Sequence, residues 1–206
     1  MIRDGLHWPD GDKYAYETIL NELTTELPLL LDLCRNKRTV IQAGGNAGLW
    51  PIAFAEHFNL VITFEPEAEN FKCLTKNAAH MPNILWHNAA LGEGRYTVGM
   101  ENPSTRNSGT WRIASGDSVK VHAIDEMDCD DCDLIQLDVE GYELYALQGA
   151  ERTIARCRPV ICVEVNGTSH AHGISDVDLW VWLSQRGYQR VRQINADEFW
   201  IPRELV

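Results

Sequence analysis

Carboxylate and carboxamide side chains follow several apolar runs of the sequence, and these groups can accept protons and hydrogen-bond to hydroxyl groups. Glu65, Asn88, Asp138 and Glu164 each stand at or near the end of such a run, and Glu140 comes two residues after Asp138. Parallel strands bind ligands beyond their carboxyl ends, so we expect these side chains to converge on one site. Residues two apart in an extended backbone point to the same side. Asp138 and Glu140 are therefore predicted to share one pocket.

A glycine-rich turn precedes the first of these acids. The residues AGGNAG (43–48) follow the apolar Val40 and Ile41 and lead into apolar positions at helical spacing. Glycines allow a tight turn and a close backbone approach to a ligand at the positive end of a helix. Glu65 lies 21 residues after Gly44, at the tip of the next predicted strand. A carboxylate there can accept hydrogen bonds from two ribose hydroxyls, which predicts a nucleoside-cofactor site.

The turn alone leaves the identity of the cofactor open. A dinucleotide fingerprint requires glycine at positions 43, 45 and 48, and the chain has Ala43, Gly45 and Gly48. The alternative spacing, Gly44 to Gly48, suits a cofactor that has no pyrophosphate to bind. A strand–helix turn without any ligand is the third interpretation, and the acid at the second strand tip argues against it.

Composition restricts the class of protein. The chain has 206 residues, 45% of them hydrophobic, and a formal net charge of −12, which argues against a nucleic-acid surface. We predict one domain and, because no apolar signal segment or spanning run appears, a cytoplasmic protein without membrane contact. Without a signal segment, the six cysteines are interpreted as reduced thiols. The spacing of Cys129 and Cys132 matches half a zinc site, but no second pair accompanies it, so no metal is predicted.

Strand and helix patterns alternate along the chain and predict an α/β fold with a largely parallel sheet covered on both faces. We expect an N-terminal helical cap over residues 1–38, with a kink or a junction of two helices at Pro28. Trp8 either covers a substrate or fixes the terminus. The core over residues 39–206 is predicted to contain an insert loop, 99–118, on the substrate side, and to end in an antiparallel hairpin after Tyr188.

Five ordered blocks resemble the FkbM-type S-adenosylmethionine-dependent methyltransferases. They are VIQAGGNAG (40–48), FEPE (64–67), NAALG (88–92), LDVEGYE (137–143) and RPVICVEVN (158–166). The resemblance implies a Rossmann-like, seven-stranded methyltransferase sheet, mostly parallel with an antiparallel last strand. It also implies S-adenosylmethionine as the cofactor, S-adenosylhomocysteine as the product, and a small-molecule or carbohydrate hydroxyl as the acceptor.

The resemblance also assigns roles to residues. Those implied to bind the cofactor are Gln42, Gly44, Asn46, Gly48, Glu65, Pro66, Asn88, Ala89 and Asp138. Asp138, Glu140 and Glu164 are implied to be catalytic. Gln42 departs from the family, which has Asp there, so a negative charge near the sulfonium is lost. Glu140 has an alternative interpretation as a cap of the following helix, and His170 or His172 are alternative bases.

Two other functional classes remain open from the sequence. A protein that binds S-adenosylmethionine without catalysis is one alternative, because Gln42 replaces an acid. An NAD-type oxidoreductase would share the opening strand, glycine turn and helix. It would not be expected to have the block at residues 137–143 or the closing hairpin.

Overall fold

The computed structural model describes residues 1–127 and 129–205, and this part of the chain contains twelve strands and six α-helices. The strands are β1 (Ile2–Arg3), β2 (Leu6–His7), β3 (Thr39–Ala43), β4 (Leu60–Phe64), β5 (Ile84–His87), β6 (Ala90–Leu91), β7 (Tyr96–Glu101), β8 (Arg112–His122), β9 (Leu134–Leu137), β10 (Val160–Glu164), β11 (Tyr188–Ile194) and β12 (Asp197–Pro202). The helices are α1 (Ala15–Leu33), α2 (Leu49–Ala55), α3 (Ala68–Asn77), α4 (Glu143–Gln148), α5 (Glu151–Cys157) and α6 (Asp176–Gln185). Short 3-10 turns occupy Ile124–Glu126, Thr168–His172 and Arg203–Leu205.

Seven strands form the central sheet, in the order β11-β12-β10-β9-β3-β4-β5. The five strands β10, β9, β3, β4 and β5 run parallel to one another, whereas β12 runs antiparallel to both β10 and β11. The chain crosses from β3 to β4 on one side and later returns to β9 on the other. This reversal of strand order creates the crevice in which such sheets bind ligands. The predicted seven-stranded sheet with an antiparallel last strand is confirmed.

Side chains of alternate residues in the central strands enter two different cores. Ile41 and Ala43 belong to the core that α4, α5 and α6 cover, whereas Val40 belongs to the core under α1, α2 and α3. All five residues of β3 are buried, as expected for a parallel strand between two helical layers. The prediction of helices on both faces is therefore confirmed.

The predicted third strand, residues 84–90, is divided in the structure. β5 ends at His87, and Ala90–Leu91 pairs instead with β8 in a separate three-stranded sheet, β6-β8-β7. Asn88 explains the break, since its side-chain amide donates to the backbone carbonyls of Glu65 (2.9 Å) and Pro66 (3.1 Å). The chain is thereby turned away from the central sheet.

The predicted insert loop over residues 99–118 is too long. β7 and β8 form an antiparallel hairpin that occupies both ends of that range, so the loop proper is confined to residues 102–111. Gly99 and Gly116 allow this pairing, because a Cβ on Gly99 would lie 2.3 Å from the carbonyl oxygen of Ser115. The small, polar residues 115–118 lie within β8 at a register shift, because Val119 pairs with Val98 and Ala114 with Gly99.

The N-terminal cap also differs from the expectation. Residues 1–38 include the short hairpin β1–β2 before the helix, and α1 continues through Pro28 as one helix rather than two. No helix in residues 1–127 and 129–205 is long and apolar enough to cross a membrane.

Candidate cofactor and acceptor site

A cavity of about 320 Å³ lies beside the carboxyl ends of the central strands, at the reversal of strand order. It brings together eight of the residues predicted for the site: Gly44, Asn46, Glu65, Pro66, Ala89, Asp138, Glu140 and Glu164. These residues come from the ends of β3, β4, β9 and β10 and from the residues before β6. Their convergence follows from the parallel sheet, which places the carboxyl ends of its strands along one edge.

Gly44 is required by the packing of the turn after β3. Its φ is +87°, and a Cβ at this position would lie 2.0 Å from the backbone carbonyl oxygen of Asp138. The amides of Gly44 and Gly45 both donate to the carbonyl of Phe64, at 3.1 and 3.0 Å. The turn is therefore fixed between β4 and β9, and its backbone lines the cavity.

Glu65 is held by the turn that it faces. Its carboxylate accepts hydrogen bonds from the amide of Asn46 (2.7 Å) on one oxygen and from the amide of Glu67 (2.8 Å) on the other. Each oxygen keeps a further lone pair, which fits two hydroxyl donors of a ribose. Burial raises the pKa of Glu65 to about 7, although the two amides oppose this shift. The residues present thus fit a nucleoside cofactor.

Three carboxylates meet at the other end of the cavity. Asp138, Glu140 and Glu164 each offer an oxygen within 4.8 Å of the others, close enough to share one proton or one cation. Burial, followed by the negative charges of Glu164 and Glu140, raises the pKa of Asp138 well above its ordinary value. Burial and the charge of Glu164 raise the pKa of Glu140 to about 7. Such a cluster takes up protons near neutral pH and favours positively charged ligands.

The backbone at Glu140 is not extended, so the geometric reason given for its placement is wrong. Its φ is +52°, in the left-handed region that residues other than glycine rarely adopt, and Gly141 follows at φ +100°. This reversal turns the Glu140 side chain into the cavity beside Asp138. The capping role suggested for Glu140 is not seen, because no side chain caps the start of α4. Glu143, the first residue of α4, instead accepts from the amides of Val139 (3.2 Å) and Gly141 (3.1 Å), which precede the helix.

Three residues predicted to bind the cofactor are not among those that line the cavity. Gln42 is fully buried within β3, where its side-chain oxygen accepts from the Thr63 hydroxyl. Gly48, at φ +101°, begins α2 and packs against Leu74. Asn88 is exposed, and its side-chain amide donates to the backbone carbonyls of residues 65 and 66. A role of these three in the site stays a prediction.

The alternative bases and Trp8 also lie away from the cavity lining. His170 is exposed, and His172 packs edge-to-face on Tyr142 at 5.1 Å. Trp8 is 1% exposed, packs on Tyr16 and donates its indole N–H to Asp12 (2.8 Å). This placement favours the interpretation of Trp8 as a residue that fixes the terminus.

The structure adds lining residues that the sequence analysis did not name, although it had placed an insert loop on the substrate side. One face of α1 contributes Ala15, Thr18, Ile19 and Glu22, and the loop over residues 102–111 contributes Ser108 and Trp111. The three- and four-residue spacing on α1 was visible as a helical face, but nothing in the sequence indicated that this face covers the strand ends.

Comparisons with known proteins agree with this geometry. The family model of the methyltransferase FkbM domain matches residues 42–190, which is more than half of the chain. An FkbM methyltransferase from Methylobacillus flagellatus KT is similar in structure, with a TM-score of 0.53 and 20% sequence identity. That alignment covers 88% of this chain and 52% of the Methylobacillus protein, so the chain spans about half the length of that protein.

Two further solved structures share the fold. A protein from Streptococcus mutans described as a methyltransferase, in complex with S-adenosylhomocysteine, has a TM-score of 0.51 and 10% identity, over 91% of this chain and 96% of its own. An rRNA methylase from Streptococcus thermophilus has a TM-score of 0.50 and 12% identity, over 84% and 90%. No curated protein matches the sequence.

The match to the family model and the crevice geometry lead to one conclusion. The glycine turn, Glu65 and the carboxylate cluster all fall within the matched residues, in a sheet of the expected topology. The chain therefore belongs to the FkbM methyltransferase family, whose cofactor is S-adenosylmethionine.

Proposed function

We propose that residues 1–206 act as one domain that transfers the methyl group of S-adenosylmethionine to a hydroxyl group of a small, uncharged acceptor, such as a sugar or a secondary metabolite. Glu140 supports this proposal most directly. Its carboxylate lines the cavity next to Asp138, and its pKa of about 7 matches the requirement of a general base at neutral pH.

The residues of the chain divide into two groups along the cavity. The turn at Gly44 and Asn46 and the Glu65 carboxylate would hold the methionine and ribose parts of the cofactor, and Ala89 would flank the adenine. Asp138 would face its ammonium group. S-adenosylmethionine supplies an electrophilic methyl group when it is bound.

The acceptor end combines acids with an apolar wall. Met100, Trp111 and Ile113 line it together with Glu140 and Glu164. A sugar hydroxyl is a poor nucleophile at neutral pH, so Glu140 would accept its proton as the oxygen attacks. The wall excludes water and orients the acceptor, and orientation can supply up to roughly 7–11 kcal/mol of the barrier reduction.

The charge of the lining argues for an acceptor without phosphate groups. Among the residues that the structure describes, the cavity is lined by Glu22, Glu65, Asp138, Glu140 and Glu164, with no lysine, arginine or histidine. A phosphate in this cavity would meet only negative or neutral groups, which is unfavourable at short range. An uncharged hydroxyl compound avoids this repulsion.

The test compares Glu140→Gln and Asp138→Asn with the parent chain, using Glu56→Gln on the exposed end of α2 as the control. Calorimetry would measure S-adenosylhomocysteine binding, and product formation would be followed with a panel of sugars, glycosides and an RNA oligonucleotide. We expect Glu140→Gln to retain cofactor affinity and to lose about 10²–10⁴-fold in turnover, because the general base is removed. Asp138→Asn should lower both the cofactor affinity and the turnover.

Three outcomes would contradict parts of the proposal. If the parent does not bind S-adenosylhomocysteine, the proposed cofactor site is wrong. Full turnover by Glu140→Gln would exclude it as the base. Methylation of the RNA alone would show that the acceptor class is wrong.

A further inference from the structure

The loop over residues 102–111 has a fixed internal shape. The Asn102 side-chain oxygen accepts from the Ser104 amide (2.8 Å) and from the Thr110 hydroxyl (2.9 Å). The side-chain amide of Asn102 donates to the carbonyl of Asn107 (3.1 Å). Because these bonds lie within the loop, the segment can move as a unit, and its position depends on what holds it to the rest of the chain.

Ser108 is the residue through which the loop contacts the cofactor side of the cavity. Its amide donates to Asp12 (2.9 Å), and its carbonyl accepts from the side-chain amide of Asn70 on α3 (3.0 Å). Its hydroxyl lies 3.5 Å from the side-chain nitrogen of Asn46 in the glycine turn. Ser108 is buried and lines the cavity, so one residue joins the loop, the N-terminal segment and the turn.

Asp12 is the charged partner in this contact. Besides Ser108, its buried carboxylate accepts from the indole of Trp8 (2.8 Å) and from the amides of Ala15 (3.3 Å) and Tyr16 (3.4 Å). Burial alone would raise the pKa of Asp12, but these donors hold it below the ordinary value. Hydrogen bonds to a charged acceptor are about twice as strong as neutral ones. The segment before α1 is therefore built to present one carboxylate to the loop.

A second bond ties the same two segments together. The amide of Lys13 donates to the carbonyl of Arg106 at 2.8 Å. The α1 face that begins at Ala15 and the loop residues from Asn107 onward both line the cavity. A molecule in the cavity is thus covered by two segments that are distant in sequence and joined at Asp12.

We propose that Asp12 is a positioning residue: through Ser108 it holds loop 102–111 against the glycine turn, so that cofactor affinity depends on a residue outside the cofactor motifs. This inference rests on the proposed cofactor site. Asp12 does not line the cavity itself, and its effect on a ligand is transmitted by the loop that it anchors.

The test uses Asp12→Asn, because the amide keeps one acceptor oxygen but presents an NH2 group to N–H donors. Asp10→Asn is the matched control, since Asp10 is exposed two residues away and pairs only with the chain amino terminus among the described ion pairs. Trypsin cleavage after the exposed Arg106 reports the open loop. Calorimetry with S-adenosylhomocysteine reports the cofactor site.

We expect Asp12→Asn to be cleaved after Arg106 about tenfold faster or more, because cleavage follows the open population and a hydrogen bond to a charged group is lost. S-adenosylhomocysteine should bind about tenfold more weakly or worse, whereas Asp10→Asn should match the parent in both assays. Cleavage sites outside the loop should keep their rates, which separates an opened loop from general unfolding.

Amide exchange on the unmodified chain tests the inference without any variant. S-adenosylhomocysteine should slow exchange at Ser108 and Lys13 together, because both amides form the bonds between the segments. The inference would be overturned if Asp12→Asn were cleaved after Arg106 at the same rate as the parent. It would also be overturned if S-adenosylhomocysteine left the exchange rates of the Ser108 and Lys13 amides unchanged. If the parent does not bind S-adenosylhomocysteine, the proposed function fails, while cleavage without ligand still decides whether Asp12 holds the loop.

Discussion

The ionisation of Glu65 makes a quantitative prediction about cofactor binding. Its two oxygens accept amide hydrogen bonds from Asn46 and Glu67, and burial, reinforced by the nearby charge of Glu67, raises its pKa to about 7. A carboxylate can accept hydrogen bonds from two hydroxyls on both oxygens, whereas in a protonated carboxyl one oxygen carries an O–H group that acts as a donor. Binding of S-adenosylhomocysteine should therefore favour the ionised form and release a proton below pH 7.

The magnitude follows from the titration. With a pKa of about 7, Glu65 is about one-tenth ionised at pH 6 and about nine-tenths ionised at pH 8. If only the ionised form binds well, affinity should fall about tenfold between pH 8 and pH 6, and about half a proton should be released on binding at pH 7. The sign is fixed by the raised pKa of the free site: lower pH protonates the acceptor that the ligand needs.

Calorimetry in buffers of different ionisation enthalpy measures both the dissociation constant and the protons released. The pKa values of Asp138 and Glu140 are also raised by burial and neighbouring carboxylates, so the informative quantity is the difference between the parent and Glu65→Gln. The variant should bind about tenfold more weakly at pH 8 and should lose this part of the pH dependence. Glu69→Gln, on the exposed side of α3, serves as the control. If the dissociation constant depends equally on pH in the parent and in Glu65→Gln, the reasoning is refuted.

Two further predictions concern β3 and its turn. Gln42→Asp should destabilise the chain by about 2–4 kcal/mol, seen as a lower melting temperature, because position 42 is fully buried and a carboxylate there is difficult to satisfy. Tighter S-adenosylmethionine binding at an unchanged melting temperature would instead support the charge-based expectation from the family comparison. Gly44→Ala should abolish S-adenosylhomocysteine binding or the fold, because its Cβ would lie 2.0 Å from the Asp138 carbonyl at a φ of +87°; parental affinity and melting temperature would show that the turn relaxes freely.

Local sequence patterns determined the topology of the central sheet. Apolar runs of strand length alternate with helical patterns, and this order permits few arrangements other than a parallel sheet with helices on both faces. The antiparallel β12 was predictable because only three residues separate two strand patterns at the end of the chain. Placement of Glu65, Asp138 and Glu164 at one edge follows from the same topology, since each acid ends a strand.

Tertiary structure decided how those acids are presented and what covers them. The left-handed backbone at Glu140, and not an extended one, turns its carboxylate into the cavity, and Glu143 holds this turn through the amides of Val139 and Gly141. Asp12 and Ser108 are 96 residues apart, and no periodicity connects them. Their bond exists because a buried carboxylate must find donors and a buried amide must find an acceptor, whichever segments folding brings together. Local patterns specify the strands and turns that create the crevice, whereas its cover depends on hydrogen bonds that only the folded chain completes.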